Sequence, residues 1–259
     1  MPFCQHCGNQ VPESARFCSS CGRSISGDTS PNPEAPDGIE RTAVTTGLAS
    51  VAGRGRILRT GLALAGIVAF IAAVSTLFEA GLLARLRDGR ATFAEAEAND
   101  TRQAALIIIA TVVVLAAGVV WLFWQHRAQK NLQLLGARTK YSPGWAVGWW
   151  FVPVANIWMP YQTMRELYAT SLPNPDGSRA SNTPVIGWWW VAYLIGSFLP
   201  AVQGGVSEFP SYGELVVTSW IGVIGRLVQA GAALLAMRIV SDVVRGQHAL
   251  AEQFADMTA

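Results

Sequence analysis

The chain has 259 residues, of which 51% are hydrophobic and only 14% charged, with a formal net charge of +2 and a mean hydropathy of +0.30. Soluble domains average about 25% charged residues. Here the apolar residues fall in long uncharged blocks, so a lipid bilayer is the expected surrounding phase. The small charge and the lack of Lys/Arg runs argue against a phosphate-binding stripe, and no nucleic-acid partner is expected.

The first element is a metal knuckle pair. Phe3-Cys4-Gln5-His6-Cys7-Gly8 is followed by Phe17-Cys18-Ser19-Ser20-Cys21-Gly22, with ten residues between Cys7 and Cys18. Each Cys-x-x-Cys-Gly turn aims two sulfurs at one point, and the trailing glycine accepts the positive φ of a tight turn. Cys4, Cys7, Cys18 and Cys21 are therefore the expected ligands of a tetrahedral structural Zn2+ in a ribbon over residues 1–24. So short a segment cannot bury a core of its own, and metal binding would supply most of its folding free energy. Two disulfides or free thiols are the alternative, and iron could occupy the same four sulfurs. No apolar leader precedes the ribbon, so the thiols are expected in a reducing, cytoplasmic compartment.

Residues 25–53 are rich in Ser, Pro, Gly and Thr, with Pro31, Pro33 and Pro36 close together, and read as a disordered linker. The membrane domain is then expected over 54–246, with a cytoplasmic tail at 247–259. Within it, Thr60 to Phe78 and Ala104 to Trp124 are uncharged runs long enough to cross as helices. Val185 to Val202 and Leu215 to Val240 make spans three and four, the last interrupted by Arg226 and Arg238. The charged stretch Asp88 to Asp100 reads as a solvated exterior loop.

Tyr141 to Met164 is also uncharged, but Pro143, Pro153 and Pro160 remove backbone donors from it. Charge placement chooses between a fifth crossing and a returning segment, because Lys and Arg accumulate on the cytoplasmic side. If the segment returns, twelve cations between Arg41 and Arg245 lie inside and four, Arg85, Arg87, Arg90 and Arg102, lie outside. If it crosses, the count becomes eight against eight and the bias vanishes. The expected fold is thus an all-α integral membrane protein. It comprises a four-helix transmembrane bundle with both termini cytoplasmic, a cytoplasmic re-entrant or interfacial hairpin, and the small N-terminal ribbon.

The block from Trp124 to Leu132, followed by Tyr141-Ser-Pro143-Gly-Trp145 and by Trp149-Trp150-Phe-Val-Pro153-Val-Ala-Asn156-Ile-Trp158-Met-Pro160, resembles the membrane family of domain of unknown function 4328. The resemblance runs from about Ile57 to Gly246. It implies a bacterial inner-membrane protein, often with an N-terminal zinc ribbon, and names no reaction or catalytic residue.

Candidate functional positions in the membrane domain are few. Arg226 lies near mid-membrane, where an arginine needs a partner or must snorkel, and Glu79 and Glu214 are the candidates for that partner. Pro153, Asn156 and Pro160 form the break of the hairpin, where the Asn156 amide could satisfy freed backbone groups. Trp149 and Trp150 read as members of an interfacial aromatic belt, with a ligand cage as the alternative. No paired carboxylates, nucleophile with base or open metal site is present in the pattern, so no enzyme is expected. The expected function is a membrane-anchored adaptor or regulatory protein whose ribbon binds a cytoplasmic protein. A small transporter or channel-like bundle for a polar solute is the alternative.

Overall fold

A computed structural model of the chain describes residue 10 and residues 36–172, 183–202 and 211–257. The chain divides into two compact units, Met1–Arg41 and Thr42–Ala259. The described residues of the second unit are helical apart from short turns. Helices α1 (Pro36–Arg87), α2 (Phe93–Leu134), α3 (Pro143–Gly148), α4 (Met159–Ser171), α5 (Pro184–Val202) and α6 (Tyr212–Met257) succeed one another in order. Two single 3-10 turns, Trp149–Phe151 and Ala155–Ile157, stand between α3 and α4.

Proline and capping residues set these boundaries. Four of the six helices have a proline at their first or second position, where a missing N–H costs nothing because that donor has no intrahelical partner. At the start of α2, Thr92 accepts from the Glu95 N–H while the Glu95 carboxylate accepts from the Thr92 N–H. Ser211 and Glu214 make the same reciprocal pair at the start of α6. Each pair satisfies two otherwise orphaned donors. Between α1 and α2 the chain turns in only five residues, using Gly89 at φ 68°. The expected exterior loop over 88–100 is therefore short, and most of it is the first turns of α2.

Three helices, α1, α2 and α6, are long and apolar enough to cross a membrane, and α5 is a shorter apolar helix. Their mutual directions emerge from side-chain pairings. Along α1 and α2, Arg54 meets Phe123, Gly61 meets Ala117, Ser75 meets Gln103 and Arg85 meets Glu95, so the two run antiparallel over their whole shared length. Arg59 meets Ser241 and Gly66 meets Ala233, so α6 also runs against α1. Gly61 and Gly66 place small surfaces where backbones approach, as membrane helices need when no hydrophobic effect drives their association. Ala69 and Ala73, four residues apart on α1, are buried as well.

Two expected boundaries are corrected. Residues 36–53 are not linker but the first turns of α1, in which Val44, Leu48 and Val51 are buried. Their spacing of four and three is a helical face, which the surrounding Gly, Ser and Thr obscured. Likewise α6 runs on to Met257, and Gln247, assigned to the tail, is fully buried. Residues 25–35 and 258–259 lie outside the described residues.

The core sits at one end of the bundle, where the start of α1, the ends of α2 and α6, α4 and the start of α5 converge. Leu58, Trp124, Leu132, Met164, Leu167, Ile186 and Ile239 are completely buried there. Further along the helices, large apolar side chains such as Phe70, Ile108, Leu115 and Leu234 face outward. Such an inside-out distribution is stable only in lipid.

Candidate functional site

Gln125, one turn beyond Trp121 on α2, is the hub of the converging end. Its Oε1 accepts from the indole N–H of Trp121 at 3.1 Å and of Trp150 at 2.9 Å. Its Nε2 donates to the Ala146 carbonyl at 3.1 Å and to the Thr163 hydroxyl at 3.3 Å. One amide with its full bonding capacity used thus ties α2 to α3, to the succeeding 3-10 turn and to α4.

A turn further along, Gln129 donates to the Tyr141 carbonyl at 3.1 Å. The buried carboxylate of Glu166, on α4, accepts from the backbone N–H groups of Lys140 and Tyr141. Tyr141 in turn donates its phenol to Gln162 at 2.9 Å. The two ends of the proline-broken segment are therefore latched together, and the segment returns to the level at which it began. None of its helical pieces between Pro143 and Ile157 exceeds six residues, far short of the roughly 20 that a crossing needs.

The aromatic groups divide in two. Trp121, Trp124, Trp189 and Trp190 are buried, with Trp150 and Tyr193 packed against them at centroid separations of 5.2 to 6.3 Å. Trp150, read from the sequence as a member of an interfacial belt, thus joins an internal cluster of rings. Trp145, Trp158 and Trp188 remain exposed. Trp149 stacks at 4.9 Å on Trp145, and its indole N–H is buried without a hydrogen-bond partner.

At the apex, Val154 has φ 67° and ψ −54°, and the Ala155 N–H donates to the Pro153 carbonyl at 2.7 Å. This is a γ-turn of the rare, strained hand, costing about 1–3 kcal/mol for a β-branched residue. Pro153 is exposed beside it, whereas Pro160 is buried at the start of α4. Asn156 does not act as the expected internal brace: its side chain is exposed, and its backbone N–H bonds to the Val152 carbonyl at 2.9 Å.

On the far side of α4, Tyr168 donates to Asp242 on α6 at 3.0 Å, and Asp242 also faces Arg238 and Arg245. Burial, reinforced by the Asp242 carboxylate, pushes the Tyr168 phenol up to about 12, so this clasp stays protonated throughout the physiological range. Gln247 donates to the Ala128 carbonyl at 2.9 Å and completes the tie between α6 and α2. Gly246 lies directly against the Ser171 carbonyl, so any Cβ there would collide with backbone.

Toward the other end, Arg226 is half-buried, its Nε is without a hydrogen-bond partner, and the charge of Glu79 acts on it. Glu79 accepts from Gln103 at 2.7 Å, and Arg102 donates to Asn99 and Ser75 nearby. Of the two expected partners, Glu79 is the one placed near Arg226, because Glu214 is occupied in its cap.

Cys4, Cys7, Cys18 and Cys21 lie outside the described residues, among which no group of three or more His, Cys, Asp or Glu side chains could hold a metal. Residues 3–25 match the zinc-ribbon domain, and four thiols in two Cys-x-x-Cys pairs are a donor set that fits zinc. No curated protein and no solved structure matches the chain. Residues 87–245, more than half of the chain and including the whole latched segment, match the family described as domain of unknown function (DUF4328), and the protein belongs to that family.

Proposed function

We propose that the protein is a non-enzymatic membrane-anchored adaptor, with a structural zinc ribbon that binds a cytoplasmic protein and a four-span bundle that holds it at the cell membrane. In this reading α1, α2, α5 and α6 each cross, and the Tyr141 to Met164 hairpin lies on the cytoplasmic face with both termini. The observation that carries it is the use of three buried polar side chains at the converging end as ties between helices. Gln125, Glu166 and Gln247 spend their hydrogen bonds on holding helices together, which suits a rigid platform. Zinc held by Cys4, Cys7, Cys18 and Cys21 closes a four-thiolate site with no open position for substrate, which suits recognition rather than catalysis.

Affinity capture of the full-length protein from crosslinked membranes, beside the Cys18→Ser/Cys21→Ser variant, tests the reading. The native chain is expected to carry zinc and a set of partners that the variant loses. Identical partner sets for the two chains would contradict it.

The cluster of Glu79, Gln103 and Arg226 supports a second reading, a bundle that conducts a polar solute, since charges within spans often line pathways. Solute flux in proteoliposomes that is undiminished by Arg226→Ala would contradict that reading.

A further inference from the structure

We infer that the apex of the hairpin is a lipid-inserted wedge, with Phe151, Val154 and Ile157 among the acyl chains of one leaflet and Lys140 and Arg165 at its phosphate layer. The first observation is exposure without solvation. Phe151 and Val154 are 70% and 68% exposed, and Trp145, Ile157, Trp158 and Trp188 are exposed around them. Six large apolar groups on and around a segment that does not cross would be a liability in water.

The second observation is that much of the apex backbone is already paired, with the N–H groups of Val152 and Val154 as exceptions. The N–H groups of Ala155, Asn156, Ile157 and Trp158 all bond within the turn, and Pro153 has none to offer. The Ile157 carbonyl accepts from the Trp190 indole at 3.0 Å. Irregular backbone normally avoids lipid because its polar groups would go unpaired. This turn has lowered that penalty by pairing four successive N–H groups, from Ala155 to Trp158.

The strained residue supplies the third. A glycine would sit at φ 67° without strain, yet the position holds a valine. The turn therefore bears backbone strain while presenting a branched apolar group at its tip, an arrangement that only an apolar surrounding rewards. The neighbouring helices offer the same surrounding: Phe123 and Val119 on α2 and Trp188 and Val191 on α5 are exposed apolar side chains too.

Charge sets the depth and the kind of leaflet. No residue from Tyr141 to Met164 is charged, while exposed Lys140 and Arg165 stand immediately outside the segment at its latched base. Asn156 is the only polar side chain between Phe151 and Trp158, and it suits the glycerol level rather than the bilayer centre. Cations at the base favour anionic headgroups.

The wedge depends on the bundle residing in a bilayer but not on the ribbon's partner. Photo-crosslinking of the full chain tests it, in liposomes of phosphatidylcholine with phosphatidylglycerol. Phe151→p-benzoylphenylalanine keeps the exposed phenylalanine ring and extends it by a benzoyl group, and Ile157→p-benzoylphenylalanine gives a second apex probe. Ile108→p-benzoylphenylalanine on the outer face of α2 reports whether the bundle itself is in lipid. Lipid adducts at all three positions, identified by peptide mass spectrometry, are expected. Lys140→Gln/Arg165→Gln should lower the phosphatidylglycerol share of the apex adducts severalfold toward its share at position 108.

Lipid adducts at 108 with none at 151 and 157 would overturn the wedge while leaving the membrane reading intact. Adducts at the apex to a second copy of the chain would overturn it in favour of a dimer contact. Failure at 108 as well would overturn both.

Discussion

Gln125 illustrates how a single amide governs this end of the molecule. Replacing it by leucine keeps the volume but leaves two indole donors, one carbonyl and one hydroxyl without their partner. Thr163 keeps its bond to the Pro160 carbonyl, but the two indole donors abandoned in this way cost about 1–3 kcal/mol each, so Gln125→Leu is expected to destabilise the bundle by about 2–6 kcal/mol, read as a lowered Tm in detergent. A sharper contrast exists between two glycines of α6. Gly246→Ala should prevent α4 from seating on α6, whereas Gly231→Ala, with nothing within 4 Å of the new methyl, should leave Tm unchanged or slightly raised. Parallel melts of the two variants check this. The prolines and the tryptophan pair were visible as unusual residues in the sequence, and Trp150 does join the hub. Gln125 and Glu166 were not, because most of their partners, Trp150, Ala146 and Thr163 for the one and the N–H groups of Lys140 and Tyr141 for the other, lie far along the chain, which no linear pattern displays. Asn156 was noticed for its place between prolines, and the exposed amide shows that such a place does not by itself imply a bracing role.

Among the elements, the hairpin owes its shape to its base. Glu166 takes the backbone N–H groups of Lys140 and Tyr141, and its loss would leave both donors exposed to opening. Glu166→Ala is accordingly expected to raise hydrogen exchange severalfold across 140–158 while leaving the central turns of α2 protected. Equal protection in native and variant chains would show that the aromatic cluster alone holds the hairpin. Helix starts were readable in principle: Thr92 with Glu95 and Ser211 with Glu214 are capping boxes, and prolines open four helices. The apolar runs at 60–78, 104–124, 185–202 and 215–240 all fall within helices α1, α2, α5 and α6. Lost from view were the extensions beyond the apolar runs. Residues 44–51 and 247–257 stay helical because tertiary packing of a few residues such as Val51 and Gln247 outweighs weak local propensity.

For the whole molecule, two independent lines converge on a returning segment. One is the distribution of cations, twelve against four, which a fifth crossing would erase. The other is the latch, in which Tyr141 and Gln162 meet at 2.9 Å although 21 residues separate them. With the hairpin returning, α1, α2, α5 and α6 alternate in direction, and the converging end carries the aromatic cluster and most of the cations. Site-resolved labelling tests this arrangement most directly. Lys140→Cys and Arg165→Cys, in separate full-length chains in sealed oriented vesicles, are exposed to a membrane-impermeant maleimide, and the modified peptide is identified by mass spectrometry. Both positions should be labelled from the same, cytoplasmic face; labelling of position 140 from one face and position 165 from the other would mean that the segment crosses and would contradict the four-span bundle.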